Sequence, residues 1–303
     1  MVRPPFLQPG DTVALVATAR KVSRMEMKPA IDLLKRWGLE VQAGKHLYKE
    51  DRQFAGTDEE RLADLQKALN SKTCRAILFA RGGYGTVRLI DKIDWKRFQK
   101  DPKWLVGFSD LTVLHSHVHR HFGIETIHAP MALNLHKAAP ACLQIYKDTL
   151  FGQRLRYAWT PKGVDLNSHR KGKCKGVLIG GNLSMLYSLT GSASDIDTRG
   201  KVLFLEDLDE YLYHIDRMMM NLKRSGKLDG LAGLIVGGMT DMKDNTVPFG
   251  RSAEAIIREA VQEYAYPVVF GFPGGHVANN YPLIFGREVT LNVAEKMDIT
   301  FHP

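Results

Sequence analysis

The feature that most constrains this chain is the alternation of short apolar runs with stretches of helical spacing. Thr12 to Thr18 follows the turn pair Pro9-Gly10 and reads as a buried strand. Met25 to Trp37 places Ala30, Leu33, Leu34 and Trp37 at helical spacing and stops at Gly38. Leu39 to Ala43 reads as a second strand. Thr57 to Leu69 reads as an amphipathic helix opened by the capping-box pattern Thr57-Asp58-Glu59-Glu60. Arg75 to Ala80 and Trp104 to Phe108 are further buried strands. The first runs into Arg81-Gly82-Gly83-Tyr84-Gly85 and the helical Thr86 to Ile90. The second runs through Ser109 into the helix Leu111 to Phe122. Strands alternating with helices imply a parallel sheet with helices on both faces. Ligands of such sheets sit at the carboxyl ends of strands, where both glycine-containing turns fall.

This pattern is lost from Gln153 to Lys175, which is polar, basic and punctuated by Pro161, Gly163 and Gly172. The expectation is a linker over 153–175 between a domain of residues 1–152 and a domain of residues 176–303. The second half is richer in strands. Gly176 to Gly180, Val202 to Leu205, Gly233 to Gly237, Val268 to Gly271, Glu288 to Val293 and Asp298 to Phe301 fit a small barrel or a mixed sheet. Helices fit Leu183 to Thr190, Tyr213 to Ser225 and Arg251 to Tyr264. The fold class is therefore α/β, with a smaller strand-rich C-terminal domain.

Composition narrows the partners. The formal charge is +9, but the basic residues are scattered, and the densest run, His169 to Lys175, lacks interleaved aromatics. No nucleic-acid partner is expected. No apolar run is long enough to span a bilayer, and Met1 to Gly10 carries two adjacent prolines in place of an apolar leader. A cytoplasmic protein with no membrane partner is expected. Cys74, Cys142 and Cys174 are far apart and odd in number, which gives neither a disulfide framework nor zinc spacing and suits a reducing compartment.

Chemistry concentrates at a few positions. A serine becomes a nucleophile when it is exposed on a sharp turn and a base removes its proton. Trp104-Leu105-Val106-Gly107-Phe108-Ser109 followed by a helix gives that context, although Leu111 stands where a nucleophile elbow carries its second glycine. The same residues equally suit a helix cap by Ser109 or Asp110. Backbone N–H groups of the loop Arg81 to Gly85 can hold an oxyanion or a carboxylate, or the loop can be a plain tight turn. It lacks the Gly-Lys-Ser/Thr ending of a phosphate loop.

The base must be a histidine, given its pKa near ~6.5. His115, His117, His119 and His121 alternate along one helix, but no carboxylate joins them at zinc-motif spacing, so no metal or other cofactor is expected. His276 lies in the glycine-rich loop Phe270 to His276 directly after a strand, where catalytic side chains concentrate. A carboxylate should orient the base. Glu206 leaves the apolar strand Val202 to Leu205 and is a candidate, with an acidic surface turn as the other reading.

Together these pieces match one family. The chain resembles the LD-carboxypeptidases, a family of serine peptidases. The likeness runs through Pro9-Gly10-Asp11, Arg81 to Gly85, Gly107 to Thr112, Thr126-Ile127-His128-Ala129-Pro130 and Gly180-Gly181-Asn182-Leu183-Ser184. It continues in Leu205-Glu206-Asp207, Tyr213-His214-Ile215-Asp216-Arg217 and Gly275-His276, so it covers nearly the whole chain. The resemblance implies a Rossmann-like N-terminal domain, a smaller C-terminal domain and a homodimer. It implies Ser109 as nucleophile, Glu206 as orienting carboxylate and His276 as base. It implies an oxyanion hole from the N–H groups of Asp110 and Gly83. The triad is then divided between the domains, and the Ser109 hydroxyl is expected to face His276 across a cleft.

The implied reaction is hydrolysis of the amide between an L-centre and a terminal D-amino acid in a murein tetrapeptide. Arg81, Gly82 and Tyr84 of the glycine loop are expected to grip the substrate's free carboxylate. The sequence departs from the family pattern at Val16-Ala17-Thr18-Ala19-Arg20 and Asn279 to Gly286, loops that bear on substrate choice. Three other readings stand beside this one. They are immunity to a peptide–nucleotide antibiotic, a non-catalytic murein-peptide-binding module, and a zinc hydrolase built on the histidine row.

Overall fold

Residues 1–161 and 168–303 are described by a computed structural model. In chain order its strands are β1 (Thr12–Val16), β2 (Glu40–Ala43), β3 (Cys74–Phe79), β4 (Trp104–Gly107), β5 (Thr126–His128), β6 (Arg156–Trp159) and β7 (Gly172–Asn182). They continue as β8 (Val202–Leu208), β9 (Gly233–Thr240), β10 (Val268–Val269), β11 (Leu283–Phe285), β12 (Glu288–Val293) and β13 (Met297–Phe301). The chain divides into two units, residues 1–153 with 278–284, and residues 154–277 with 285–303.

The sheet of the first unit has the order β11-β5-β4-β3-β1-β2. From β2 through β5 every pairing is parallel. The helices Arg24–Arg36, Asp58–Asn70 and Thr112–Phe122 lie in the crossovers. The inner strands β3 and β4 are buried almost throughout, which is why they read as continuous apolar runs rather than alternating ones. The capping box expected at Thr57 is present. Its hydroxyl accepts from the Glu60 N–H, and the Glu60 carboxylate accepts from the Thr57 N–H. A second box at Ser23 and Glu26 starts the preceding helix.

Strand β1 ends at Val16, short of the expected Thr18, because Thr18 is taken by another network. Its hydroxyl pairs with Thr86 Oγ1 at 2.7 Å. Its carbonyl accepts from the guanidinium of Arg61, a side chain only 1 % exposed. Arg61 also donates to the carbonyls of Gly85, at 3.3 Å, and Gly56, at 3.4 Å, and pairs with Asp58. One buried cation thus fastens the end of β1 to the glycine loop after β3.

The second unit forms a mixed sheet of order β10-β9-β8-β7-β12-β13-β6, not a barrel. The β10-β9-β8-β7 half is parallel and the remainder antiparallel. The helices Leu183–Leu189, Leu212–Arg224 and Ala253–Ala260 pack on it around Ile179, Leu205, Ile215, Met218, Val236 and Ile257.

Two boundaries differ from the sequence expectation. The segment 153–175 is not a plain linker: it supplies β6 and the first residues of β7. Tyr157 and Trp159 of β6 point into the core between exposed neighbours, and Lys173 and Lys175 alternate outward from a strand paired with β12. A half-exposed basic strand looks like a polar linker when only its polarity is read. Gly163, one of the punctuating residues, falls outside the described residues. Residues 278–284, expected in the second domain, fold with the first unit and bring it β11.

Among the described residues no helix is long and apolar enough to cross a membrane. Replacing Arg61 with Ala takes the guanidinium donor from the carbonyl of Thr18, while the Gly85 carbonyl keeps the Arg88 N–H, and is expected to cost about 1–3 kcal/mol. A lower urea midpoint at unchanged slope is the corresponding measurement.

Candidate active site

Ser109 follows β4 with φ +62°, a left-handed conformation that non-glycine residues rarely adopt. Holding it there costs on the order of 1–3 kcal/mol, and such strain persists only where the surroundings over-determine it. Neither Ser109 nor Asp110 caps the following helix, whose start has no side-chain cap. The Asp110 carboxylate instead accepts from the Thr86 N–H at 2.9 Å. This bond ties the residue after Ser109 to the first residue after the glycine loop. Asp110 is buried, and desolvation raises its carboxyl above the usual range despite the Thr86 bonds that oppose the shift.

The glycine loop lies against the same turn. A Cβ added at Gly82 would sit 3.5 Å from Ser109 Oγ and only 3.0 Å from Met131 Cε, so the loop backbone passes beside the serine hydroxyl. Gly83 has φ +108° and Gly85 +145°, so the loop's course requires glycine there. Arg81 is partly buried and donates to the Lys21 carbonyl at 3.4 Å. Tyr84 is exposed, with its ring 6.2 Å from that of Phe54. Arg81, Gly82, Gly83, Tyr84, Ser109 and Asp110 therefore share one region of the first unit.

The other two residues meet in the second unit. Glu206 stands inside β8 with no solvent exposure. Its Oε2 accepts from His276 Nδ1 at 2.6 Å and from the His276 backbone N–H at 3.1 Å. A carboxylate can only accept here, so the shared proton sits on Nδ1 and Nε2 is left as the proton-accepting nitrogen. Burial pushes the imidazole pKa down, but the Glu206 charge and hydrogen bond, with a smaller contribution from Asp207, outweigh it. The net pKa is above the ordinary 6.5.

The approach depends on Gly275. With φ +94°, it lies so close to Glu206 that an added Cβ would come within 2.6 Å of the carboxylate side chain. The Thr240 hydroxyl holds the His276 carbonyl at 2.7 Å.

Sequence reasoning missed the supporting residues. Asp207 accepts from Asn182 Nδ2, from the Ser184 N–H and from its neighbour Leu208 N–H, each at 2.8 Å. Burial, then the adjacent Glu206 charge, pushes Asp207 up to about 7. The Gly-Gly-Asn-Leu-Ser run was visible as a motif, but its connection to the carboxylates is not encoded locally. Thr86 and Arg61 gave no signal at all. The histidine row lies on the helix Thr112–Phe122. Among the described residues, no group of three or more His, Cys, Asp or Glu side chains is placed to hold a metal ion.

Comparison with known proteins identifies the family of the chain. Residues 13–129 match the LD-carboxypeptidase N-terminal domain, and residues 175–291 match the LD-carboxypeptidase C-terminal domain. A probable murein peptide carboxypeptidase of Bacillus subtilis is 37% identical over 97% of this chain and 92% of its own length. The murein tetrapeptide carboxypeptidase of Pseudomonas aeruginosa is 31% identical over 94% of each chain. The crystal structure of muramoyltetrapeptide carboxypeptidase from Oxalobacter formigenes superposes with a TM-score of 0.86 at 27% identity, covering 96% of this chain and 99% of that one. The chain belongs to the LD-carboxypeptidase family.

Proposed function

We propose that this protein is a cytoplasmic serine carboxypeptidase that removes the terminal D-alanine from murein tetrapeptides, with Ser109, Glu206 and His276 as its catalytic triad. The observation that carries this reading is the Glu206–His276 pair. A fully buried carboxylate holds the proton on Nδ1 and leaves Nε2 as a base. The left-handed Ser109, which caps no helix, supports its assignment as nucleophile. The names of the relatives support the substrate, and the three free cysteines support a reducing compartment. The family resemblance carries the homodimer.

In this mechanism Ser109 Oγ attacks the carbonyl of the L,D-amide while His276 Nε2 takes its proton. The imidazolium, stabilised by Glu206, then protonates the departing amine of D-alanine. Water, activated by the same imidazole, hydrolyses the acyl-enzyme and restores the serine. The N–H groups of Asp110 and Gly83 stabilise each oxyanion, a donor of this kind being worth roughly 3–4 kcal/mol. Arg81, Gly82 and Tyr84 receive the terminal carboxylate.

Incubation with lysine- and diaminopimelate-containing tetrapeptides is expected to release free D-alanine, read by mass spectrometry. Ser109→Ala is expected to lower kcat by about 10³-fold or more without loss of fold. Full activity in that variant removes Ser109 from the mechanism.

The base works neutral, so kcat/KM falls as pH drops through the His276 pKa. The wild-type acid limb should lie above 6.5, in the direction of the His276 shift. Glu206→Gln removes the charge that does most to raise it, leaving burial opposed only by the smaller contribution of Asp207. The limb should then move to lower pH while kcat falls by about 10³–10⁴-fold, as expected for a mis-set tautomer. Gly275→Ala is expected to push Glu206 and His276 apart and to lower kcat more than it raises KM, in steady-state kinetics on the same peptide.

A further inference from the structure

We infer that His115 is a positioning residue that holds the nucleophile turn in place through the Gly107 carbonyl. The inference rests on Ser109 being the nucleophile. His115 lies in the first turn of the helix that Ser109 precedes, and its ring reaches back over the end of β4. Nε2 is 2.9 Å from the Gly107 carbonyl oxygen, and Nδ1 is 2.8 Å from the Thr126 hydroxyl on β5. The residue is 2 % exposed.

The partners fix the chemistry of the ring. A carbonyl can only accept, so Nε2 carries the proton. Nδ1 then accepts from the Thr126 hydroxyl. Burial keeps such an imidazole neutral, with its pKa lowered to about 4. The Gly107 oxygen also receives the Ala129 N–H at 3.2 Å, so two donors hold one peptide group.

That peptide group is only two residues ahead of the left-handed Ser109. A strained turn drifts unless both flanks are held. Asp110 is held from the far side by its bond to the Thr86 N–H. On the near side His115 closes the strand–turn–helix segment on itself. The other members of the row have different surroundings. His117 stacks on Trp95 with ring centroids 5.4 Å apart and lies 4.4 Å from the ring of His121. The row thus spans different surroundings, and it is His115 that meets the carbonyl at the end of the nucleophile strand.

The two hydrogen bonds can be separated by substitution. His115→Gln keeps an amide donor near the Nε2 position. His115→Asn keeps an acceptor near the Nδ1 position and loses the bond to Gly107. Thr126→Val removes the other partner while leaving the Nε2 bond. With a murein tetrapeptide as substrate, His115→Asn is expected to lower kcat by about 10–100-fold with KM within about twofold, the scale of a misplaced reacting group. His115→Gln and Thr126→Val should stay within about threefold of wild type, and all three should keep the wild-type acid limb. Equal loss of kcat in the Asn and Gln variants, or undiminished kcat in the Asn variant, overturns the inference.

Nitrogen-15 NMR of the unaltered full chain provides a readout that survives misfolding of any variant. The proton of His115 should be found on Nε2, and a proton on Nδ1 overturns the inference. Failure of the nucleophile reading is distinct: it appears as activity in Ser109→Ala, whereas the NMR result reports the His115 tautomer that the Gly107 bond requires, independently of turnover.

Discussion

Parallel pairing dictates where this protein can do chemistry. When neighbouring strands run the same way, their carboxyl ends open at one edge, and the turns that follow them are neighbours in space. The loop of Arg81 to Gly85 leaves β3, and Ser109 leaves the adjacent β4. In the second sheet Asn182 ends β7, and Glu206 lies beside it in β8 at a paired register position. His276 follows β10, in the same parallel half. The candidate residues of the second unit all lie in or follow strands of its parallel half.

This placement concentrates carboxylates in dry surroundings, and an ion in such a place carries a penalty of several kcal/mol unless its oxygens are engaged. Each of the three carboxylates engages at least one oxygen, and each does so differently. Asp110 takes a backbone N–H from Thr86. Asp207 takes two backbone N–H groups and the Asn182 amide. Glu206 alone takes an imidazole. The two without a titratable partner are fixed parts of the scaffold. The one that engages a titratable ring is the one whose partner can exchange protons.

Much of this was legible in the sequence. Buried parallel strands read as unbroken apolar runs, so β1, β3, β4 and β8 were found from composition alone. The Thr57 box was found because its two hydrogen bonds are local. β12 and β13 also match the sequence reading, although only one face of each is buried, but the shortest strands of the first sheet leave no signal. β5 has three residues and β11 has three, too few for any period to register. β6 and the start of β7 were misread because alternation under a basic surface resembles a solvated loop. The candidate residues were nominated by turn chemistry and family likeness. What could not be read was how they are held. Arg61 lies 24 residues from Gly85 in the chain, and the Glu206–His276 bond spans 70, so neither leaves a local trace.

The path of the chain has one further consequence. After His276 it returns to the first unit for residues 278–284, adds β11 beside β5, and leaves again. A gene divided after residue 153 therefore encodes a first half that lacks its own outer strand. Its β5 would present an unsatisfied edge, the kind of surface that invites pairing with foreign strands. The two units are consequently poor candidates for independent shuffling: recombination at the obvious midpoint would separate a sheet from part of itself. The natural module spans both units.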